Sequence, residues 1–534
     1  MKKLLSLLLI LSVACFAFAR GTGEPARTAA PAAPVVLRIN NQSEPQSVDP
    51  HLISGVPEHR IYLTLFEGLM IPDPNGNPVP GAAESYTVSA DNLTWTFKMR
   101  KGNVWSDGVP ITAQTVVKSW LRNLNPATGS KYASIVTDII KGAKEYNSGK
   151  GKPEDVAIKA LDDNTFQFVT TGPAPYVLSM LVHYGFAIVP IHAIEKYGAK
   201  WIEPANWVSN GAFILKERKP NDRLVVEKNP KYWDAKNVKL DQIIFFPSDN
   251  QATNYAMFIN GETDWNAGSP PPDKMEEAKK RADYVRAPQA SSYYYEFNCQ
   301  KPPFNDVRVR KAFSLALGRQ DIVDKVTKSG EVPSGALTPP MSGYTPPAGI
   351  GEDVAKAKSL LAEAGYPDGK GFPKATLLYN TSARHKAVAE YAQQRWEQTL
   401  GVKIELANQE FATYLETRKD GKMGGHNLAR AGWAADYQDP FNFLFMFLSN
   451  NVDFNDTRWS NAKYDDLVRQ ANSMTAGPER MKLFQQAEKI FIEDEQVIMP
   501  IYWYTSQNMI DLNKWGGWAT NALDQHAPKY IYKK

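Results

Sequence analysis

Asp436 and Asp439 are two carboxylates on the segment Ala-Arg-Ala-Gly-Trp-Ala-Ala-Asp-Tyr-Gln-Asp-Pro, residues 429–440. Paired carboxylates can act as acid and nucleophile, or acid and base, in glycoside hydrolysis. Asp439 directly precedes Pro440, however, a position that more readily shapes a turn. A binding pattern overlaps this one. Residues 428–433 read as a short apolar strand, and Asp436 stands just past its end. Arg430 lies upstream, and Trp433 and Tyr437 flank the carboxylate. A cation, an anion, an aromatic wall and strand backbone thus fall on one short segment.

Other chemistry has little support. The seven histidines, at 51, 59, 183, 192, 385, 426 and 526, form no i,i+4 pair. HExxH, P-loop, GxGxxG, GxSxG and Cys/His metal motifs are missing, so no cofactor and no metal are expected. A net charge of +4 without a Lys/Arg block argues against a nucleic-acid partner. The 24 tyrosines and 13 tryptophans suit either a large aromatic core or a surface that grips varied ligands, and counts alone favour the core.

A chain of 534 residues exceeds one ordinary core, so two or three domains are expected. Lys2 and Lys3 precede an apolar run over residues 4–18, the pattern of a secretory signal peptide. Ala17-Phe18-Ala19 offers a cleavage site after residue 19, and Leu11-Ser12-Val13-Ala14-Cys15 is a loose lipobox that would instead leave a lipid-anchored protein. Residues 20–34 are rich in Ala, Pro, Gly and Thr and read as a disordered linker. Cys299 is the only other cysteine, so once Cys15 is removed or acylated no internal disulfide can form.

Order is expected from residue 35. Residues 59–69 place Ile61, Leu65, Phe66 and Leu69 on one helical face. Residues 93–99 alternate Leu, Trp, Phe and Met with Thr and Lys, the period of a half-buried strand. Thr112 caps a helix, and 165–169 is a strand. After Pro190 strands dominate, at 211–215, 224–227 and 242–246. A third region opens at 293–298. Helices follow near 306–317, 353–364, 382–400 and from 478, with strands at 375–379, 402–406 and 497–504. Strands and helices interleave without a clean βαβ repeat, so mixed α/β domains are expected, with breaks near 190 and 290.

Four segments resemble bacterial periplasmic oligopeptide-binding proteins, the solute receptors of ABC importers (extracytoplasmic solute-binding protein family 5). These are Glu44–His51 with Gly55–Glu58; Trp95–Phe97 with Trp105–Ala113; 297–325 with its Lys-Pro-Pro-Phe-Asn-Asp core; and the segment described first. They occur in the family's order, and the similarity spans nearly all the chain after the linker. The resemblance implies an α/β, two-lobed, three-domain periplasmic binding protein fold with a ligand cleft between the lobes. Residues 35–66, 188–290 and 503–534 would form the core of lobe 1, 67–187 a domain inserted into it, and 291–502 lobe 2. It implies a non-enzymatic, monomeric receptor that binds short peptides in extended form and passes them to a permease and ATPase complex in the cytoplasmic membrane. Related binders of dipeptides, cell-wall peptides or another small solute, and an exported hydrolase, are the alternatives.

The resemblance also assigns residues. Asp436 matches the carboxylate that captures a peptide's α-amino group. The backbone of 429–435, including Gly432 and Ala434, matches the strand that hydrogen-bonds the peptide main chain, and Val56 bonds it from the other side. Trp433 matches a cleft wall, and Tyr132 a ring near the first side chain. Arg430, Arg418 and His385 match positive groups that receive C-terminal carboxylates. Phe411 stands where the family often has Trp.

Overall fold

Two long antiparallel strands, Tyr284–Phe297 and Ile498–Ile510, organise the computed structural model. It describes residues 33–534 except 342, 421–425 and 452–453, together with the side chains of residues 411, 412, 419 and 420. The leader, most of the linker and Cys15 lie outside the described residues. Val35–Lys534 forms one compact unit.

The two ends of the long strand pair join different partners. Tyr284–Pro288 pairs with Thr505–Met509, and Met509 and Ile510 go on to Asn266 and Trp265. The eleven-stranded sheet continues on that side through Val36–Asn40, Gln242–Phe246, Arg223–Lys228 and Phe213–Lys219. At the other end Ser291–Phe297 pairs with Leu428–Ala434, beyond which lie Thr376–Asn380 and Glu405–Gln409. The register of the long pair breaks between Pro288 and Ser292 and again between Tyr293 and Tyr294. Pro288 has no N–H to give to the ladder, and such bulges bend a strand. The break therefore falls where one half of the sheet gives way to the other.

Side-chain alternation builds a core on each face of the second half. Tyr293, Tyr295 and Phe297 pack with Phe313 and Trp396, whereas Tyr294 packs on the opposite face with Phe443 and Phe447. The odd and even positions of one strand thus bury against different helices. The first half shares one continuous core with a separate four-stranded sheet made of Ala83–Val88, Thr94–Met99, Thr165–Val169 and Ile158–Asp162. There Trp95 and Phe97 stack on Phe168, which meets Trp120 of the helix Ala113–Leu124. That helix starts where Thr115 Oγ1 accepts from Thr112 N–H.

Several elements differ from expectation. The helix expected over 59–69 is Val56–Leu65. It begins earlier because Gly55-Val56-Pro57 sets the N-terminus. It ends at Leu65, whose carbonyl accepts from Gly211 N–H, and Phe66 is already extended. The segment 293–297, where a third region was expected to open, ends one long strand, and the strand expected at 497–504 begins the other. The helices Phe411–Asp420 and Ala462–Asn472 were not expected. Among the described residues no helix is long and apolar enough to cross a membrane.

Candidate functional site

A cleft of about 410 Å3 lies at the C-terminal end of the strand Leu428–Ala434, within the range of about 300–1,000 Å3 usual for small-molecule sites. Gly432, Trp433, Ala434 and Asp436 line one side of it; Val56, Arg60, Tyr132 and His183 also line it, as does the C-terminal segment 522–526.

The strand presents a free edge there. It pairs along its length with Ser291–Phe297, but on its other side, among the described residues, only Leu428 and Ala429 pair, with Leu377 and Leu378. Ala435 N–H donates to Ala290 O. By the alternation of an antiparallel ladder, residues 429, 431 and 433 turn their N–H and C=O inward. Arg430, Gly432 and Ala434 turn theirs to the outer edge. Tyr414 takes up the Arg430 carbonyl from that edge. Gly432 and Ala434 keep a strand's polar groups turned toward the cleft.

Asp436 follows directly. Its N–H donates to Asn442 Oδ1 at 3.1 Å, and the same oxygen accepts the Trp433 indole N–H at 2.9 Å. Asn442 therefore fixes both the carboxylate and the aromatic wall. The side chain of Asp436 is 18% exposed, and His183 Nε2 stands 3.7 Å from it. Burial pushes its carboxyl up to about 7, against a hydrogen bond from Asn442. Burial also holds His183 well below the ordinary imidazole range, with His59 acting the same way. Gly185 N–H donates to His183 Nδ1 at 3.1 Å, so the neutral ring carries its proton on Nε2. Asp436 thus has a long contact with a neutral donor and, among the described residues, no cationic ion-pair partner. Tyr132 closes this end, its ring 4.8 Å from His183 and 5.3 Å from Tyr184. Burial, then the Asp436 charge, pushes its phenol upward.

Asp439 serves a different purpose. It accepts from Phe441 N–H at 3.0 Å, the turn the Asp-Pro pair suggested. Both its oxygens also bind the fully buried Arg480, at 2.7 and 2.8 Å. Next to it Tyr437 stacks on Tyr176 at 4.7 Å, and Tyr176 donates to Asn472 Oδ1 at 2.7 Å. The segment after the strand is thereby clasped to the region that carries Tyr132 and His183.

The distal candidates separate. Arg430 donates to Tyr504 OH at 2.9 Å, lies 4.8 Å over the Tyr293 ring, and leaves Nε without a partner among the described residues. His385 shares this neighbourhood, with Nδ1 3.4 Å from Tyr293 OH. It is not a cation: burial, then the Arg430 and Arg384 charges, pushes it down to about 2. Arg418 already holds anions of the chain itself. It is committed to two buried carboxylates, Glu296 at 2.9 Å and Asp456 at 3.0 Å, and so holds helix Phe411–Asp420 to the long strand. Phe411 begins that helix, and its side chain lies outside the described residues. Val56 is half exposed at the first turn of its helix, where N–H groups have no internal partner.

Sequence reasoning missed Asn442, His59, Arg60, His183 and Tyr184. Asn442 lies in the local segment after Pro440 and was within reach of inspection. The others come from distant parts of the chain, and only the fold brings them to Asp436.

Residues 77–455 match the family described as bacterial extracellular solute-binding proteins, family 5 Middle. The chain belongs to this family. It is 40% identical over 505 residues to the periplasmic oligopeptide-binding protein OppA of Escherichia coli, covering 92% of this chain and 91% of that protein. A crystal structure of a periplasmic oligopeptide-binding protein from Borrelia burgdorferi superposes with a TM-score of 0.84 at 37% identity, covering 94% of this chain and all of that one. Haemophilus influenzae OppA in complex with RPPGFSPFR superposes at 0.81 with 34% identity, covering 94% and 99%. The fold is the mixed α/β, multi-domain fold of periplasmic binding proteins.

Proposed function

We propose that the protein is the substrate-binding receptor of an oligopeptide ABC importer in the cell envelope. The observation that carries this is the pairing of a free strand edge with an Asp436 carboxylate that has no cationic ion-pair partner among the described residues, in one cleft. An extended peptide adds to such an edge through main-chain hydrogen bonds that do not depend on its side chains. Its α-ammonium meets Asp436 and supplies the missing charge-assisted bond. The peptide then runs antiparallel to the strand, from Asp436 past Ala434 and Gly432 toward Arg430, whose guanidinium is the first receiver of a terminal carboxylate. Trp433 and Tyr132 wall the first side chain, and Val56 N–H approaches from the other side. The relatives named oligopeptide-binding support the same ligand class.

The register breaks in the long strands, near Pro288–Tyr294, support a reading of this strand pair as the hinge between two lobes, with 67–187 inserted in the first and 291–502 forming the second. Closure by hinge bending then hands the peptide to a permease. With Asp439 bound to Arg480 and Asp436 facing the ligand's ammonium, the pair of carboxylates is not set for hydrolysis, which favours a receptor over a hydrolase.

Native mass spectrometry of freshly purified protein tests this. A heterogeneous series of short peptide masses on the folded protein is expected, and a single non-peptide mass would contradict it.

A further inference from the structure

Resting on the peptide-receptor reading, we propose that Arg60 selects peptides carrying an acidic side chain. It does so from the wall of the cleft built by helix Val56–Leu65 and the segment 522–526. Arg60 lines the cleft yet is only 5% exposed. Its Nη1 donates to Asn41 Oδ1 at 2.9 Å, and its guanidinium carbon lies 5.2 Å from the Trp265 ring centre. Among the described residues no carboxylate forms an ion pair with it. Asp524, whose charge acts on it, is engaged through one oxygen: Asn508 Nδ2 donates to its Oδ1 at 3.0 Å, and His526 Nε2 lies 2.9 Å from the same atom. Burial draws the Arg60 guanidinium down to about 10. A buried cation without an anion is costly, and a partner that also forms hydrogen bonds relieves that cost.

A second observation points the same way. Three buried side-chain atoms on residues lining this cleft have no hydrogen-bond partner among the described residues: His59 Nε2, Gln525 Oε1 and His526 Nδ1. Buried polar atoms are normally satisfied, so this wall suits a polar guest: an imidazole N–H can donate to it, whereas Gln525 Oε1 only accepts and pairs with a donor such as a peptide N–H. A carboxylate can take the Arg60 guanidinium and one imidazole N–H together. An extended peptide on the strand edge turns alternate side chains to opposite faces, so side chains of one parity meet Arg60.

Calorimetry with tetra-alanine carrying Glu or Gln at each position in turn tests the proposal. At one position Glu binds about tenfold tighter than Gln, the scale of a charge-assisted hydrogen bond. In Arg60→Gln that ratio falls to near one, and in Arg60→Lys it is partly kept. Equal binding of Glu and Gln peptides at every position of the wild type overturns the inference while leaving the receptor reading intact. So does a ratio that survives in Arg60→Gln, or a Lys peptide preferred over Gln, which would mark Asp524 instead. The wild-type comparison stands even if a variant fails to fold. Failure of the wild type to bind any of these peptides would remove the receptor reading and this inference together.

Discussion

His183 Nε2 faces Asp436 Oδ1 at 3.7 Å, and the imidazole is neutral because burial, then His59, depresses it. The contact is too long for a good hydrogen bond and lacks a charge. It keeps water from one side of the carboxylate without neutralising it. The site is therefore arranged for a cation that arrives with the ligand.

This predicts a pH signature in the ligand-free protein. The Asp436 carboxyl is raised from 3.8 to about 7, so between those values the native state holds a proton that the unfolded chain has released. Its stabilising contribution is full below about pH 3.8 and is lost as pH rises through about 7. Asp436→Asn mimics the protonated form. Melting temperatures of variant and wild type, measured from pH 5 to pH 8, are expected to diverge in the variant's favour as pH rises. A constant difference contradicts the shift.

Peptide affinity follows the opposite rule, because capture needs the carboxylate ionised. Binding measured from pH 5 to pH 7.5 is expected to strengthen with pH in the wild type and to change less in Asp436→Asn. Parallel pH profiles would remove Asp436 from the titration.

Asp439 is separable from this chemistry. Asp439→Ala strands the buried Arg480, and breaking such a pair costs about 3–5 kcal/mol. Urea denaturation should show a large fall in midpoint; an unchanged midpoint would contradict the structural role.

Arg418 holds helix Phe411–Asp420 to the long strand through Glu296 and Asp456. Arg418→Met removes the cation that both Glu296 and Asp456 bind. Burial already raises Glu296 to about 7 against the pull of Arg418. The variant is expected to lose about 3 kcal/mol of stability, with the loss growing from pH 5 to pH 8, in denaturation curves. A stable variant with weakened peptide binding would return Arg418 to the ligand set.

The local part of this site was legible in the sequence. Residues 428–436 are a strand followed by a carboxylate, and the structure places them so. Non-local features were not. His183 and Arg60 reach the cleft through two elements whose own patterns show only helix and loop. The length of Tyr284–Phe297 was hidden because Pro288 and the polar Arg286, Gln289, Ser291 and Ser292 interrupt its apolar alternation. His385 and Arg418 had the right residue types, but their charge state and partners depend on burial and on Glu296 and Asp456, which no spacing reveals.

Asp436 as the receiver of the peptide's amino group is the central claim, and calorimetry with one tripeptide in free and N-acetylated forms, on wild type and Asp436→Asn, tests it most directly. Wild-type binding of the free peptide is expected to exceed each single change by more than about tenfold, the worth of a charged hydrogen bond. The doubly changed pair should be little weaker than either, and the variant's far-ultraviolet spectrum unaltered. Equal affinity of the wild type for free and acetylated peptide would contradict the account.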